Sequence, residues 1–226
     1  MTHRSGPTSP AHGAAAAERF LFGSPLFYRL KHIVVEKVIW HWLLGGVLRF
    51  PANPLPDLAD LYAGKRVLLG ACGPGNVTTG PSLASAAEVV AFDISPEFAR
   101  ACKANHPDWE VFAGDIHAIP YPDGAFDVAI VYSSLHHIGA DAGRVLEELA
   151  RVTRDHVVVV EGVVPARGPL RAALLTWYKL VDGGVHYYTR PELLEVFARV
   201  GLHVERVSEH GPIRHMMLAV AAKHPT

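Results

Sequence analysis

The chain has 226 residues, of which 50% are hydrophobic and 19% are charged, and its formal net charge is -1. This length and composition predict one large globular domain, or one domain with a small appendage. A net charge so close to zero gives no basic surface for nucleic acid or for an anionic membrane, and we expect neither partner.

Export and membrane insertion are not indicated either. The first 17 residues are rich in Pro, Gly, Ser and Ala and lack the apolar core of a signal peptide. The most apolar stretch, residues 38–48, is too short to cross a bilayer. The two cysteines, Cys72 and Cys102, suit neither a disulfide framework nor a CxxC metal site. We therefore expect a reducing, cytoplasmic location.

The N-terminal part of the chain is predicted to lie outside the main domain. Residues 1–19 are expected to form a disordered tail, and residues 20–56 a helical segment ahead of the domain at 57–226. A serine–proline pair followed by apolar residues at helical spacing predicts a helix over 25–44. Three interpretations stay open, because this helix could pack on the sheet, form the surface of a homodimer, or close over the ligand as a lid.

From Lys65 onward, short apolar runs alternate with helical patterns. Continuous apolar runs are typical of strands in a sheet covered on both faces, and their alternation with helices predicts a Rossmann-like, doubly wound α/β fold. The last two runs have no long helix between them, so we expect an antiparallel hairpin at one edge of a mostly parallel seven-stranded sheet. The predicted strands are 66–69, 89–92, 110–112, 128–132, 157–160, 204–207 and 216–221, and the predicted helices are 96–105, 142–152 and 191–200.

The first predicted strand runs into a glycine-rich turn at residues 70–75, with the sequence Gly-Ala-Cys-Gly-Pro-Gly. In a doubly wound sheet, ligands bind at the carboxyl ends of the strands, and glycine lets the backbone approach a ligand closely. The second strand ends in Asp93, 18 residues after Gly75, where a carboxylate can accept hydrogen bonds from both hydroxyls of a ribose. An NAD site would show the same two features, so a further discriminator is needed.

Two more strand ends supply it. Asp115 follows the third predicted strand, where its carboxylate can accept a hydrogen bond from an adenine amino group. The fourth strand leads into a polar loop at residues 133–138 that carries Ser133, His136 and His137.

This ordered series resembles the class I S-adenosylmethionine (SAM)-dependent methyltransferases, particularly those that act on small molecules. Residues 67–75 (VLLGACGPG) resemble the family's first motif, 89–95 (VVAFDIS) its ribose motif, 113–138 its adenine and fourth-strand motifs, and 185–204 its late segment. The resemblance implies SAM as the cofactor. It places cofactor contacts at Gly70, Ala71, Cys72, Gly73, Gly75, Asp93, Ile94, Asp115, Ile116 and Ser133.

The first motif departs from the family's pattern. Leu69 replaces the acidic residue that usually helps to hold the methionine ammonium, and Ala71 replaces the first glycine. Gly80-Pro81 falls where the first helix should be running, so we expect a longer turn whose helix begins near Pro81. The adenosine end of the site is therefore better supported by the sequence than the methionine end.

The acceptor side is predicted from the residues after the fourth and fifth strands. The resemblance places His136 and His137 where a general base would stand, and the alternative is that they pack or hydrogen-bond within the protein. Glu161, Tyr187 and Tyr188 are predicted to line the acceptor pocket, again with a structural role as the alternative. The histidines form no pattern of metal ligands, and no metal is expected.

The leading hypothesis is a small-molecule methyltransferase, with specialised metabolism as one setting, that methylates oxygen or nitrogen. A second is an enzyme of the same fold that transfers the aminocarboxypropyl group of SAM or cyclises SAM, and so releases methylthioadenosine. A third is a non-catalytic protein that has lost SAM binding. A nicotinamide dehydrogenase ranks last, because Gly114-Asp115 and the late segment argue against it.

Overall fold

The computed structural model describes residues 54–75, 81–181, 183–210 and 216–223. The predicted tail at 1–19 and the predicted helix at 25–44 lie outside the described residues. Of the predicted N-terminal helical segment, 20–56, only residues 54–56 are described, and the last two of them begin a 3₁₀ turn, Leu55–Leu58.

Seven strands form one sheet: Arg66–Gly70 (β1), Glu88–Asp93 (β2), Glu110–Ala113 (β3), Phe126–Tyr132 (β4), Thr153–Gly162 (β5), His203–His210 (β6) and Met216–Ala222 (β7). Their order in the sheet is β3-β2-β1-β4-β5-β7-β6. The first five strands pair in parallel, whereas β7 is antiparallel to both β5 and β6. The predicted mostly parallel sheet with an antiparallel edge hairpin is confirmed.

The central strands carry runs of apolar residues because both faces of the sheet are covered. Along β5, Val157 and Val159 belong to one core cluster, while Val158 belongs to the cluster on the opposite face. All three valines are at most 1% exposed. Strand β7 is buried at every position for the same reason.

Six α-helices lie in the described ranges: Ala59–Tyr62 (α1), Pro96–Asn105 (α2), Leu135–Ile138 (α3), Ala142–Val152 (α4), Pro169–Val181 (α5) and Arg190–Arg199 (α6). Helices α4 and α6 contribute Leu149 and Phe197 to one core cluster, and α1 and α2 contribute Tyr62 and Cys102 to the other. The helices therefore cover the two faces of the sheet, as a doubly wound fold requires. No helix within these ranges is both long and apolar enough to span a bilayer.

The starts of α2 and α6 follow from local sequence. The hydroxyl of Ser95 accepts a hydrogen bond from the N–H of Phe98, and Pro96 occupies the first helical turn. At α6, Thr189 and Glu192 form a capping box in which each side chain accepts from the other residue's N–H.

Two features differ from the predictions. The helix expected near Pro81 is a single 3₁₀ turn, Pro81–Leu83, after which the chain turns directly into β2. Helix α5 is not among the predicted helices, although Leu170, Leu174 and Tyr178 recur in it at helical spacing.

Candidate functional site

The carboxyl ends of β1, β2, β3 and β4 lie side by side at one edge of the sheet. Gly70 at the end of β1 is in register with Phe92 on one side and Val131 on the other, and Asp93 is in register with Ala113. The chain passes from β1 outward to β3 and then returns to β4, so the direction of winding reverses beside β1. Doubly wound folds bind their ligands in the crevice at such a reversal.

The glycine turn at 70–75 repeatedly adopts a left-handed backbone. The φ angles are +50° at Ala71, +55° at Gly73 and +69° at Gly75. Glycine adopts such angles freely, but a Cβ atom makes them unfavourable. The alanine that replaces the family's first glycine therefore keeps the conformation of a glycine, at an energetic cost.

Asp93 ties this turn to the end of β2. Its Oδ2 accepts a hydrogen bond from the N–H of Gly73 at 2.9 Å, and its Oδ1 accepts one from the N–H of Ser95 at 2.9 Å. The residue is 7% exposed. Burial raises the pKa of its carboxyl group, and the two N–H donors offset part of that rise.

The residues that follow β3 lie next to the end of β2, which carries Asp93. Asp115 has a half-exposed carboxylate whose Oδ1 accepts from the N–H of His117 and contacts its Nδ1 at 2.8 Å. The N–H of His117, followed by its ring, lowers the pKa of the Asp115 carboxyl. Ile116 is buried, and a Cβ built on Gly70 would lie 3.1 Å from its Cδ1. The absence of a side chain at Gly70 therefore gives Ile116 room beside β1.

Three further predicted cofactor residues, Ile94, Cys72 and Ser133, differ in their exposure and contacts. Ile94 is 73% exposed next to Asp93, so it presents apolar surface at the crevice. Cys72 is buried, and its N–H donates to the carbonyl of Phe92 at 2.9 Å. The hydrogen bond with Cys102, together with burial, raises the pKa of the Cys72 thiol. Ser133 has a φ of +49° and donates its N–H to the carbonyl of Val160.

This arrangement fits the adenosine part of SAM. Two carboxylates at adjacent strand ends, Asp93 and Asp115, have the chemistry to accept from ribose hydroxyls and an adenine amino group, and Ile94 offers apolar surface for a base. The methionine part is less well matched. Leu69 is 1% exposed and belongs to the core, so no β1 carboxylate is available for the ammonium group.

Glu161, which is predicted to line the acceptor pocket, accepts hydrogen bonds from the segment after β4. Its Oε2 accepts from the N–H groups of Ser134 (3.1 Å) and Leu135 (2.7 Å). Its Oε1 accepts from the N–H of Gly162 (2.9 Å) and lies 2.5 Å from Nδ1 of His136. The carboxylate is 0% exposed, and these four hydrogen bonds are all internal.

The two predicted histidines have different surroundings. The ring of His136 is 3% exposed and stacks on Tyr187, with ring centroids 5.3 Å apart and planes at 15°. His137 is exposed, and its ring centroid lies 4.2 Å from that of His136. Both histidines lie in the short helix α3 and not in the loop that the sequence predicts at 133–138, so one helical turn carries an enclosed imidazole and an exposed one.

Tyr187 and Tyr188 are both buried rather than open to solvent. The hydroxyl of Tyr187 accepts from the N–H of Gly184 at 2.9 Å, and that of Tyr188 donates to the carbonyl of Gly139 at 2.7 Å. Burial raises the pKa of Tyr188 to about 12, so it stays protonated at neutral pH. Their predicted contact with an acceptor stays a prediction.

Several residues that shape the site are not among the predicted site residues. Gly184 packs against His136, and Asn105 and His106 at the end of α2 contact the glycine turn. The pairs that join α2 to the turn are 31 residues apart in sequence. No local pattern signals such contacts, because they depend on how α2 packs against β2 and β3.

Comparison with known sequences places this geometry in context. Residues 68–160 match the family described as Methyltransferase domain. The chain is 32% identical over 117 residues to a demethylmenaquinone methyltransferase of Renibacterium salmoninarum, covering 51% of this chain and 48% of that protein. It is 36% identical over 106 residues to the 27-O-demethylrifamycin SV methyltransferase of Amycolatopsis mediterranei, covering 44% of this chain and 39% of that protein.

A longer match extends over most of another relative. A demethylmenaquinone methyltransferase of Thermus thermophilus is 30% identical over 170 residues, which cover 68% of this chain and 76% of that protein. The first two matches, by contrast, span less than half of the relatives' lengths. Among solved structures, a SAM-dependent methyltransferase from Aquifex aeolicus shares the fold, with a TM-score of 0.57, 20% identity, and coverage of 77% of this chain and 94% of that chain.

Proposed function

Because the chain belongs to the class I SAM-dependent methyltransferases, we propose that it transfers the methyl group of SAM to an oxygen or nitrogen atom of a small molecule. The observation that carries the proposal is the meeting of the glycine turn, Asp93 and Asp115 at neighbouring strand ends. When bound, SAM supplies a methyl group on a positively charged sulfur, which a nucleophile can attack in line.

The cofactor-side roles follow from the chemistry of the two carboxylates. Each oxygen of Asp93 accepts one backbone N–H and keeps a further lone pair, so the carboxylate can also accept from ribose hydroxyls. Asp115 uses Oδ1 for His117, which leaves Oδ2 for an adenine amino group. Ile94, Ile116, Gly70, Ala71, Cys72, Gly73, Gly75 and Ser133 complete the proposed cofactor surface.

On the acceptor side we assign the base to His137 and a positioning role to His136. The side chain of His137 is exposed, so it can reach a bound acceptor and release a proton to solvent. His136 instead connects Glu161 to Tyr187 within the protein. An exposed apolar side chain beside this loop, Val185 at 64%, favours an apolar or aromatic acceptor.

We expect His137→Ala to lower kcat by about 10²- to 10⁴-fold, the usual contribution of a general base, while KM for SAM stays within about twofold. Steady-state kinetics over a pH series would measure both, and the variant should lose the pH-dependent limb that the base produces. His203→Ala, at an exposed histidine on β6, is the matched control and should leave kcat unchanged. A full kcat in His137→Ala would remove the assignment.

The names of two relatives support the acceptor class proposed here. One is a methyltransferase for demethylmenaquinone and the other for 27-O-demethylrifamycin SV, and both names support a small-molecule acceptor. Only the second name denotes an oxygen nucleophile. A decisive experiment incubates the full chain with SAM and a panel of apolar phenols, hydroquinones and amines. The expected products are S-adenosylhomocysteine and an acceptor heavier by one CH₂ group.

A second candidate is non-methyl SAM chemistry, which the buried Leu69 favours. Without an acid on β1, the methionine tail would be held differently and another carbon would be open to attack. Methylthioadenosine as the nucleoside product would establish this candidate in place of methyl transfer. Calorimetry with S-adenosylhomocysteine tests the cofactor assignment itself, and Asp93→Ala should weaken binding by about 1–3 kcal/mol.

A further inference from the structure

The C-terminal end of α2 contacts the glycine turn at residues 70–75. The side-chain amide of Asn105 donates to the carbonyl of Pro74 at 2.7 Å, and Nε2 of His106 lies 3.2 Å from the carbonyl of Gly75. A carbonyl oxygen only accepts, so Nε2 of His106 carries the hydrogen in this bond. Two consecutive carbonyls of the turn are thus hydrogen-bonded to the last residue of α2, Asn105, and to its C-cap residue, His106.

The same helix end leaves no space for a side chain at Gly75. A Cβ there would lie 2.8 Å from Cδ2 of His106, 3.0 Å from Sγ of Cys102 and 3.1 Å from Cα of Cys102. Gly75 also has a φ of +69°. The turn and α2 are therefore in direct van der Waals contact as well as hydrogen-bonded.

The orientation of His106 is set by its own neighbours. Its ring stacks on Trp109 at 3.9 Å with the planes at 11°, and its N–H donates to the carbonyl of Cys102. The ammonium group of Lys103 donates to the carbonyls of Pro107 and Trp109, which holds the segment that carries the tryptophan. The imidazole is therefore positioned before any ligand binds.

Asp93, the last residue of β2, also holds the turn. Asp93 accepts from the N–H of Gly73 and also from the N–H of Ser95, the N-cap residue of α2. Three consecutive residues of the turn are therefore hydrogen-bonded to these side chains: Gly73 to Asp93, Pro74 to Asn105 and Gly75 to His106.

We propose that Asn105 and His106 are positioning residues for SAM, which act through the carbonyls of the glycine turn without touching the cofactor. The inference rests on the proposed function in one respect, namely that the turn at 70–75 binds the cofactor. Preorganisation of the turn lowers the cost of ordering it on binding, so loss of the two donors raises the dissociation constant.

The test compares His106→Phe, which keeps the stacked ring but removes the donor, with His106→Gln, which restores an N–H donor. Asn105→Ala is combined with His106→Phe in a double variant. Arg100→Ala is the matched control, because Arg100 lies on the exposed face of the same helix and pairs only with Glu97 among the described residues.

Two readouts are used, and the first needs no ligand. In hydrogen exchange of the ligand-free protein, the amides of Cys72, Gly73 and Gly75 should exchange about 5- to 10-fold faster in the double variant than in Arg100→Ala. In calorimetry, the dissociation constant for S-adenosylhomocysteine should rise about 10-fold in the double variant and recover in part in His106→Gln with Asn105 retained. In kinetics, KM for SAM should rise while kcat stays unchanged.

Unchanged exchange at 72–75 together with unchanged affinity, in a double variant that unfolds at the same temperature as Arg100→Ala, would overturn the proposal. A wild-type chain that binds neither SAM nor S-adenosylhomocysteine would overturn the proposed function instead. In that case the exchange measurement still decides whether Asn105 and His106 hold the turn.

Discussion

Two residues of the site have a backbone conformation that their side chains disfavour. Among the described non-glycine residues, only Ala71 and Ser133 have positive φ angles, +50° and +49°. One follows β1 and the other follows β4, on neighbouring strands at the crevice. Residues in such conformations persist when surrounding contacts hold them, and they concentrate at functional sites.

We expect Ala71→Gly to increase the free energy of unfolding by up to about 1 kcal/mol, because glycine removes the left-handed strain while adding some entropy to the unfolded chain. Urea denaturation measures the change. Ala84→Gly, at an exposed position without a positive φ, serves as the control and should lower stability by about 0.5–1 kcal/mol. If Ala71→Gly lost as much stability as the control, the positive φ of Ala71 would not be a source of strain.

Glu161 is the residue on which the acceptor-side loop most depends, since its carboxylate accepts four internal hydrogen bonds. In Glu161→Gln, the amide NH₂ would face N–H donors, so we expect a loss of about 2–4 kcal/mol in unfolding free energy. Asp155→Asn removes a half-exposed partner of Lys65 on the same strand and should cost less than about 1 kcal/mol. Equal effects in the two variants would show that the buried network contributes little.

At the scale of elements, two segments from distant parts of the chain, around His136 and around Tyr187, pack together where the acceptor side is proposed. The N–H groups of Val185 and His186 both donate to the carbonyl of His136. The ring of Tyr187 stacks between His136 and Tyr178 of α5, at 5.3 Å and 5.0 Å. Helix α5 is thereby connected through aromatic contacts to the loop after β4.

Gly184 sits at the closest point of this junction, and a substitution there tests it. A Cβ at Gly184 would lie 2.5 Å from Cδ2 of His136 and 2.7 Å from the hydroxyl of Tyr187. We expect Gly184→Ala to displace these rings and to cost about 1–3 kcal/mol. Thermal unfolding and near-ultraviolet circular dichroism of the tyrosines measure the effect.

Gly143→Ala provides the comparison for the junction. Its added Cβ would meet only Cγ1 of Val200, at 3.7 Å, which is an ordinary contact. Because Gly143 lies within α4, this variant should be neutral or slightly stabilising. If Gly184→Ala unfolded at the same temperature as the native chain, the two loops would not be packed as tightly as described.

At the scale of the whole molecule, folding lowers the pKa of several carboxyl groups, and each of them makes the protein less stable as pH falls. The Arg151 side chain lowers the pKa of Glu148, and the N–H of Thr189 lowers that of Glu192. A carboxyl whose pKa is lowered by folding contributes stability above its ordinary pKa and loses it as pH falls through the folded value. Asp93 has the opposite sign, because burial raises its pKa.

We therefore expect the free energy of unfolding to fall as pH decreases below about 4.5, the ordinary value for Glu148 and Glu192. Urea denaturation at pH 5 and pH 3 measures the fall. It should be smaller in Glu148→Gln, which lacks one of the titrating groups, than in the native chain. Glu195→Gln, at an exposed position that has no ion pair among the described residues, is the control and should keep the native pH dependence. An identical fall in Glu148→Gln and the native chain would contradict this origin.

Much of the fold and the cofactor side could be predicted from sequence. The apolar runs of the strands, the turn at 70–75, and the carboxylates at Asp93 and Asp115 are local features, and parallel strands bring their carboxyl ends to one edge whatever the details of packing. The short 3₁₀ turn at Pro81–Leu83 and helix α5 were harder, because proline and glycine near both of them suit more than one structure.

The sequence by itself determined the doubly wound sheet, the family, and the residues that stand at the strand ends. Only the tertiary structure decided that Glu161 binds His136 across 25 residues, and that Asn105 and His106 reach the glycine turn across 31. The reason is physical. Strand and turn preferences act between neighbours in the chain, whereas a side-chain hydrogen bond over such a separation exists only once the helices have packed on the sheet.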